Sequence, residues 1–174
     1  LALVTRQLTQ SHGDLGPSQE ELDKAIASAS RHIRVRVFYD AVRARQNAEQ
    51  PEKSIPVFLA LINYDKAEVY HRNHGELAFA LKDKHPPDWV KAEEEPSTAI
   101  RSRDRSGDTG FGEYEFNRAV CRIRLGHSTE NIVADLTSAG RCEWLREWKI
   151  SDTQSSDWLK NNNIHLTDFG FVND

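Results

Sequence analysis

The chain has 174 residues, which is enough for one ordinary domain or for two small ones. Its hydrophobic content of 38% and charged content of 29% exclude a disordered chain. The formal net charge of −4 does not indicate a surface that is basic throughout. Because no apolar run approaches the ~20 residues that span a bilayer, we predict a cytoplasmic protein with no membrane partner.

The sequence contains no methionine, so we expect it to be a segment of a longer polypeptide or a processed chain. Its cysteines, Cys121 and Cys142, are expected to be reduced thiols. A chain with its own hydrophobic core needs no disulfide, and intracellular proteins keep their cysteines reduced.

The first predicted helix begins at Ser18, with Glu21 at the spacing of a capping box. Apolar residues then recur at intervals of three or four as far as Val42, and the helix is expected to end before Pro51. Apolar residues also alternate within this stretch, so a strand at 32–38 is the alternative.

Ser54 is the predicted start of the next element, and its apolar residues 57–62 fit a helix or a strand equally well. We expect a helical register to continue through Arg72 and to stop at Gly75. A short helix at 76–82 then precedes two consecutive prolines.

The predicted fold class is mainly α, a bundle-like arrangement of two helical portions joined by a charged linker. An N-terminal helical portion covers residues 1–88, and a C-terminal helical module covers 113–174. The linker at 89–112 is rich in glutamate, arginine and glycine. The alternative is an α+β fold with short strands near 32–38 and 56–62.

Residues 113–136 predict two helices joined by a tight turn. Gly126 permits the left-handed backbone that ends the first helix, and Ser128 begins the second. DNA-binding helix-turn-helix units have this geometry, and so do purely structural helical hairpins.

Basic residues form two clusters despite the negative net charge, one within 31–45 and one within 101–124. Phosphate contacts are predicted for Arg105, Arg118, Arg122 and Arg124. The alternative is that these long side chains cover apolar surface and pair with aspartate and glutamate.

Residues 104–136 contain a D-x-S segment, a helix that ends in R-x-G-x-S at Ser128, and an E-x-I segment that begins the next helix. This pattern resembles the C-terminal helical module of plasmid and phage primase-polymerases and related mobile-element replication proteins. The resemblance implies an accessory helical bundle that holds template DNA beside a separate catalytic domain. The chain departs from the pattern by inserting residues 107–112 before the first of these helices.

Trp144 and Trp148 lie four residues apart and are predicted to share one helical face. Such a face suits a protein partner or stacked bases, and packing into the core is the alternative.

A metal site is the weakest candidate. Asp65 follows an apolar run, and His71 and His74 have the spacing of zinc ligands on a helix. No second pair of ligands lies at a matched spacing. The sequence therefore predicts no metal, no cofactor and no catalytic residue.

The leading functional prediction is a non-catalytic nucleic-acid-binding accessory module of a DNA replication or priming protein, with single-stranded or duplex DNA as its partner. One alternative is a protein–protein interaction domain that uses the tryptophan face. The other is a metal-dependent nucleic-acid enzyme.

Overall fold

The computed structural model describes residues 1–10, 16–47 and 50–172, and these ranges contain helices and no strand. The α-helices within them are α1 (Ala2–Thr9), α2 (Gln19–Ser28), α3 (Arg31–Asn47), α4 (Ile55–Tyr64), α5 (Arg72–Asp83), α6 (Trp89–Ser106), α7 (Glu113–Leu125), α8 (Thr129–Ala139) and α9 (Thr153–Asn161). Short 3₁₀ turns occupy Pro51–Ser54, Glu143–Leu145 and Leu166–Phe169. The predicted mainly α fold is confirmed. The alternative strands at 32–38 and 56–62 are wrong, because these residues belong to α3 and α4.

The chain divides into two compact units, Leu1–Asp88 and Trp89–Asp174. The predicted linker at 89–112 is wrong for most of its length, because α6 occupies it and belongs to the second unit. Only residues 107–112 connect α6 to α7.

Buried small residues explain why α6 is helical in spite of its internal proline. Ala92, Pro96 and Ala99 are buried at intervals of four and three, so they form an apolar stripe along the helix. Pro96 removes one backbone hydrogen bond, but the burial of its ring offsets part of that cost. The charged residues between these positions hide the stripe in the sequence.

The single long helix predicted from Ser18 is two helices, α2 and α3. Its capping box is confirmed, since the Ser18 Oγ accepts from the Glu21 backbone N–H and the Glu21 carboxylate accepts from the Ser18 backbone N–H. The helix breaks where Ala29 adopts an extended backbone with ψ of 146°. The Ser30 Oγ then accepts from the Ile33 backbone N–H at 3.4 Å and caps α3.

The connection between α4 and α5 also differs from the prediction. The helical register does not run on to Arg72, because α4 ends at Tyr64 and a carboxylate oxygen of Asp65 accepts from the Tyr70 backbone N–H at 2.7 Å. This bond satisfies a backbone donor outside a helix and so favours the turn. Gly75 does not stop a helix, since it lies buried inside α5.

Phe38 is the centre of an aromatic cluster in the first unit. It is 1% exposed and makes edge-on contacts with Tyr39, Phe58 and Tyr70, whose ring centroids lie 5.3, 6.1 and 5.2 Å away. Edge-to-face geometry is a favoured arrangement for aromatic rings, and it joins α3 to α4 and to the turn before α5.

The core of the second unit is built around α7, which contacts α6, α8 and α9. Phe116 on α7 packs against Trp148 and Phe171, with ring centroids 5.5 and 5.3 Å away. Cys121 is buried on the same helix and Cys142 is partly buried, and both are thiols, as the sequence predicts.

The predicted helix–turn–helix corner is confirmed. Gly126 ends α7 in a left-handed conformation, with φ of 73° and ψ of 32°. The His127 backbone N–H donates to the carbonyl oxygen of Arg122 at 3.0 Å, which satisfies one of the last carbonyls of the helix. A Cβ at Gly126 would meet no atom within 4 Å, so glycine is favoured here by backbone conformation alone.

We expect Gly126→Ala to lower the free energy of unfolding of the second unit by about 1 kcal/mol, because alanine is strained at positive φ. Gly126→Asn is the matched control and should lose less, since asparagine tolerates this conformation. Urea denaturation followed by tryptophan fluorescence measures the effect, because all four tryptophans lie in the second unit. An unchanged midpoint for the alanine variant would contradict the role of the turn.

Candidate functional site

The arginines of the helical hairpin are held in ion pairs. Arg118 Nη2 and Nε lie 2.6 and 3.0 Å from the two carboxylate oxygens of Asp135, and Arg122 Nη1 lies 2.9 Å from the same carboxylate. Arg122 Nε also contacts Glu93 on α6 at 2.9 Å. The Asp135 side chain is 4% exposed, and each of these arginine side chains is 17% exposed.

The other two predicted phosphate contacts are separated from this cluster. Arg124 Nη1 binds Asp152 at 2.7 Å, and its guanidinium lies 4.6 Å from the centre of the Trp89 ring. Arg105 is exposed near the end of α6. An arginine that is paired with a carboxylate has to give up that pair to bind a phosphate. The geometry thus favours the interpretation that Arg118, Arg122 and Arg124 hold helices together.

Asp135 on α8 binds two arginines of α7, and these arginines also contact α6. Arg118 donates to Asp135 and also to the Ser97 Oγ on α6 at 3.0 Å, while Arg122 bridges Asp135 to Glu93. Burial raises the pKa of the Asp135 carboxyl, and the hydrogen bonds and charges of the two arginines only partly offset that effect. The cluster of Asp135, Arg118 and Arg122 is called the hub below. Its main effect is to determine how three helices pack, and its net contribution to the free energy of unfolding is small.

Asp152 is the N-cap of α9 as well as the partner of Arg124. Its carboxylate accepts from the backbone N–H of Ser155 at 2.9 Å and from the Ser155 hydroxyl. Partial burial acts to raise the pKa of Asp152, but the Ser155 hydrogen bonds and the Arg124 charge outweigh it, so the pKa is lowered.

The two tryptophans of the predicted partner face are not on one helix, because Trp144 lies in the 3₁₀ turn Glu143–Leu145 and Trp148 follows it. They still contact each other edge-on, with ring centroids 5.5 Å apart. Trp148 is partly buried against the core, whereas Trp144 is 56% exposed. The prediction of core packing thus fits one tryptophan and the prediction of a surface residue fits the other.

The residues that a metal site would require are not arranged around a common point. Asp65 accepts from the Tyr70 backbone N–H, and His71 and His74 are buried at the beginning of α5. Across residues 1–10, 16–47 and 50–172, no group of three or more His, Cys, Asp and Glu side chains is arranged to hold a metal ion.

An open groove of about 340 Å³ on the first unit was missed by sequence reasoning. Its walls come from α3, α4 and the segment that leads into α5. The lining residues are Arg31, Arg34, Val35, Phe38, Leu61, Tyr64, Asp65, Val69, Tyr70 and Asn73. Four of its apolar and aromatic members are substantially exposed: Val35 (46%), Tyr64 (46%), Val69 (68%) and Tyr70 (39%).

The two arginines at this groove form no ion pair with any carboxylate in the described part of the chain. Arg31 is exposed and has no carboxylate partner in the described ranges. The Arg34 guanidinium lies 3.9 Å from the centre of the Tyr64 ring and donates to the carbonyl oxygen of Ala29, a neutral acceptor. Asp65 contributes a carboxylate to the lining.

Two other arginines of α3 differ from Arg31 and Arg34 although all four belong to one helix. Arg36 and Arg43 both lie within 4 Å of the Asp40 carboxylate, at 3.7 and 3.6 Å, and neither lines the groove. The sequence shows a basic cluster in this helix but does not separate paired arginines from unpaired ones. The tyrosines that complete the groove come from residues about 30 positions further along, which only the tertiary fold brings close.

Comparisons with protein-family models, curated proteins and solved structures found no match to this chain. The resemblance to primase-associated modules stays a prediction. Within the described part of the chain, no helix combines the length and the apolar character needed to cross a membrane.

We expect Asp135→Asn to lower the free energy of unfolding of the second unit by about 3 kcal/mol, because it leaves two largely buried arginines without their shared counter-charge. Asp104→Asn is the control, since Asp104 also pairs with an arginine but is 61% exposed, and it should cost less than about 1 kcal/mol. Urea denaturation followed by tryptophan fluorescence compares them. Equal effects of the two substitutions would contradict the hub.

Asp152→Ala should destabilise the second unit by about 1–2 kcal/mol at neutral pH, through loss of the cap and of the Arg124 pair. Because the folded pKa of Asp152 is lowered, its contribution is present above the ordinary aspartate pKa and is lost as the pH falls through the folded pKa. The difference from wild type should therefore shrink in acid. Asp157→Ala, an exposed position of the same helix, should show no such pH-dependent difference.

Proposed function

We propose that this chain is a non-catalytic nucleic-acid-binding module whose contact surface is the groove of the first unit. The observation that carries the proposal is the combination of half-exposed tyrosines with Arg31 and Arg34 around one open groove. Proteins that bind single strands combine the same two elements, aromatic rings on which bases stack and cations that contact the backbone.

The charge distribution supports the groove over the helical hairpin. In the hairpin, Arg118, Arg122 and Arg124 already have carboxylate partners, so a phosphate competes with an existing ion pair. At the groove, Arg31 and Arg34 bind no carboxylate of the residues that the structure describes. A phosphate there gains the attraction without breaking a pair, and the counterions it releases add to the affinity.

The aromatic residues support it in a second way. Tyr64 and Tyr70 each leave more than a third of their surface exposed although Phe38, which touches Tyr70, is completely buried. The exposed ring of Tyr70 is anchored on this buried phenylalanine and is held in place before a ligand arrives, so stacking on it costs little side-chain entropy.

The wider role in replication depends on the resemblance of residues 104–136. The resemblance implies an accessory module that works beside a separate catalytic domain, and in this proposal the groove of the first unit, not residues 104–136, holds the strand. This part of the proposal is separable from nucleic-acid binding itself.

Fluorescence anisotropy with labelled oligonucleotides at about 50 and 200 mM salt tests the proposal. We expect binding that weakens with salt, and we expect Arg31→Ala combined with Arg34→Ala to flatten the salt slope by about 1.4, which is about 0.7 for each phosphate contact on a single strand. The matched control is Arg36→Ala with Arg43→Ala, which removes the same charge from the same helix away from the groove. This control should change the slope by less than half as much.

Absence of binding to any oligonucleotide at the lower salt concentration would overturn the proposal. Equal effects of the two double variants would also contradict the groove as the contact surface, because they would show a general charge effect.

A second candidate function is contact with a protein partner through Trp144. The observation that favours it is the 56% exposure of this tryptophan beside Trp148, which is anchored on Phe116. Large aromatic residues that are held by a core behind them are typical of the residues that dominate protein interfaces.

A further inference from the structure

We infer that the groove of the first unit holds one unpaired nucleobase, that Asn73 hydrogen-bonds to the edge of this base, and that the protein therefore selects single strands over duplex. This inference rests on the proposed nucleic-acid binding. It adds the kind of strand and the residue that recognises the base.

The burial of Asn73 is the first observation that supports this inference. Asn73 lines the groove, it is 4% exposed, and its side-chain oxygen Oδ1 is buried without a hydrogen-bond partner. Buried side-chain oxygens nearly always accept a hydrogen bond, since leaving one unpaired is costly. An N–H group of a ligand in the groove would supply the missing donor.

The size and lining of the groove are the second observation. A volume of about 340 Å³ lies at the small end of the range of about 300–1,000 Å³ for ligand pockets, which suits a single ring system. Phe38, Leu61, Val69 and Tyr70 provide an apolar surface for the faces of such a ring. Every nucleobase has two apolar faces and at least one N–H donor on its edge, so it matches this lining.

The positions of the charged and neutral polar groups in the groove indicate how a nucleotide would be oriented in it. Asn73 is buried, whereas Arg31 is exposed, so the neutral polar group lies deep and the cation lies at the rim. A nucleotide has the same order, with a neutral base at one end and a phosphate at the other. Asp65, which also lines the groove, disfavours a phosphate beside it and leaves the arginine side as the place for the strand backbone.

A base in a duplex does not reach this groove. Its edge is already paired, and its faces are covered by the neighbouring base pairs, so entry requires unstacking and unpairing. In a single strand the base is available at much lower cost. The groove thus predicts a preference that phosphate contacts alone would not give, because phosphates are present in both forms.

Three probes of equal length separate these contributions: a single-stranded oligonucleotide, its blunt duplex, and an abasic oligomer that keeps the phosphates and lacks the bases. We expect the single strand to bind about tenfold more tightly than either of the others, as base stacking and one hydrogen bond allow. Asn73→Leu, which keeps the branched arrangement of heavy atoms and removes the amide, should remove most of this advantage. It should leave the salt slope unchanged, because the arginines remain.

Val69→Glu is a second variant that does not disturb the core, since Val69 is 68% exposed at the rim of the groove. It should weaken single-strand binding by about tenfold, because a base that enters the groove would remove water from the added carboxylate. Val90→Glu is its control, at a valine that is 56% exposed outside the groove. Circular dichroism checks that all of these variants remain helical.

The outcomes separate the two proposals. Equal binding of all three probes, or an unchanged single-strand affinity in both Asn73→Leu and Val69→Glu, would overturn base insertion and leave phosphate binding intact. If none of the probes binds at low salt, the proposed function fails, and base insertion fails with it.

Discussion

The second unit depends on the carboxylate of Asp135. This single side chain on α8 receives Arg118 and Arg122 from α7, and the same two arginines contact Ser97 and Glu93 on α6. Apolar packing of three helices tolerates small rotations and shifts, whereas hydrogen bonds to one buried carboxylate do not. The hub therefore selects one arrangement of these helices, although burial works against the charge of Asp135 itself.

This use of arginine changes how the charge of the chain is interpreted. Counting basic residues along the sequence gives two clusters of similar appearance. The arginines of the cluster in α7, however, are paired with carboxylates inside the second unit. The cluster in α3 is divided, with Arg36 and Arg43 sharing Asp40 and the groove arginines pairing with no carboxylate in the described ranges. What matters for a phosphate is the unpaired charge, and that quantity is set by tertiary contacts.

Local signals in the sequence predicted local structure well. The capping box at Ser18 and the left-handed turn at Gly126 each depend on a few neighbouring residues, and both are present in the structure. The errors occurred where distant contacts decide. Pro96 favoured the prediction of a linker, but α6 packs against α7 and buries Pro96. The turn after Tyr64 depends on a hydrogen bond between Asp65 and Tyr70, which a periodic pattern does not reveal. The groove was missed for the same reason.

Two buried asparagines show that an unpaired polar group indicates a binding site only where a ligand can reach it. Asn117 on α7 is 2% exposed and neither polar atom of its side chain has a partner, but it is surrounded by the core of the second unit. There the unpaired amide lowers the free energy of unfolding. The side-chain oxygen of Asn73 is also unpaired, but it belongs to the lining of an open groove that Tyr70 and Arg31 line as well. A cost that a ligand can relieve becomes part of the affinity for that ligand, and for this reason the groove, and not the helical hairpin, is the place where binding is expected.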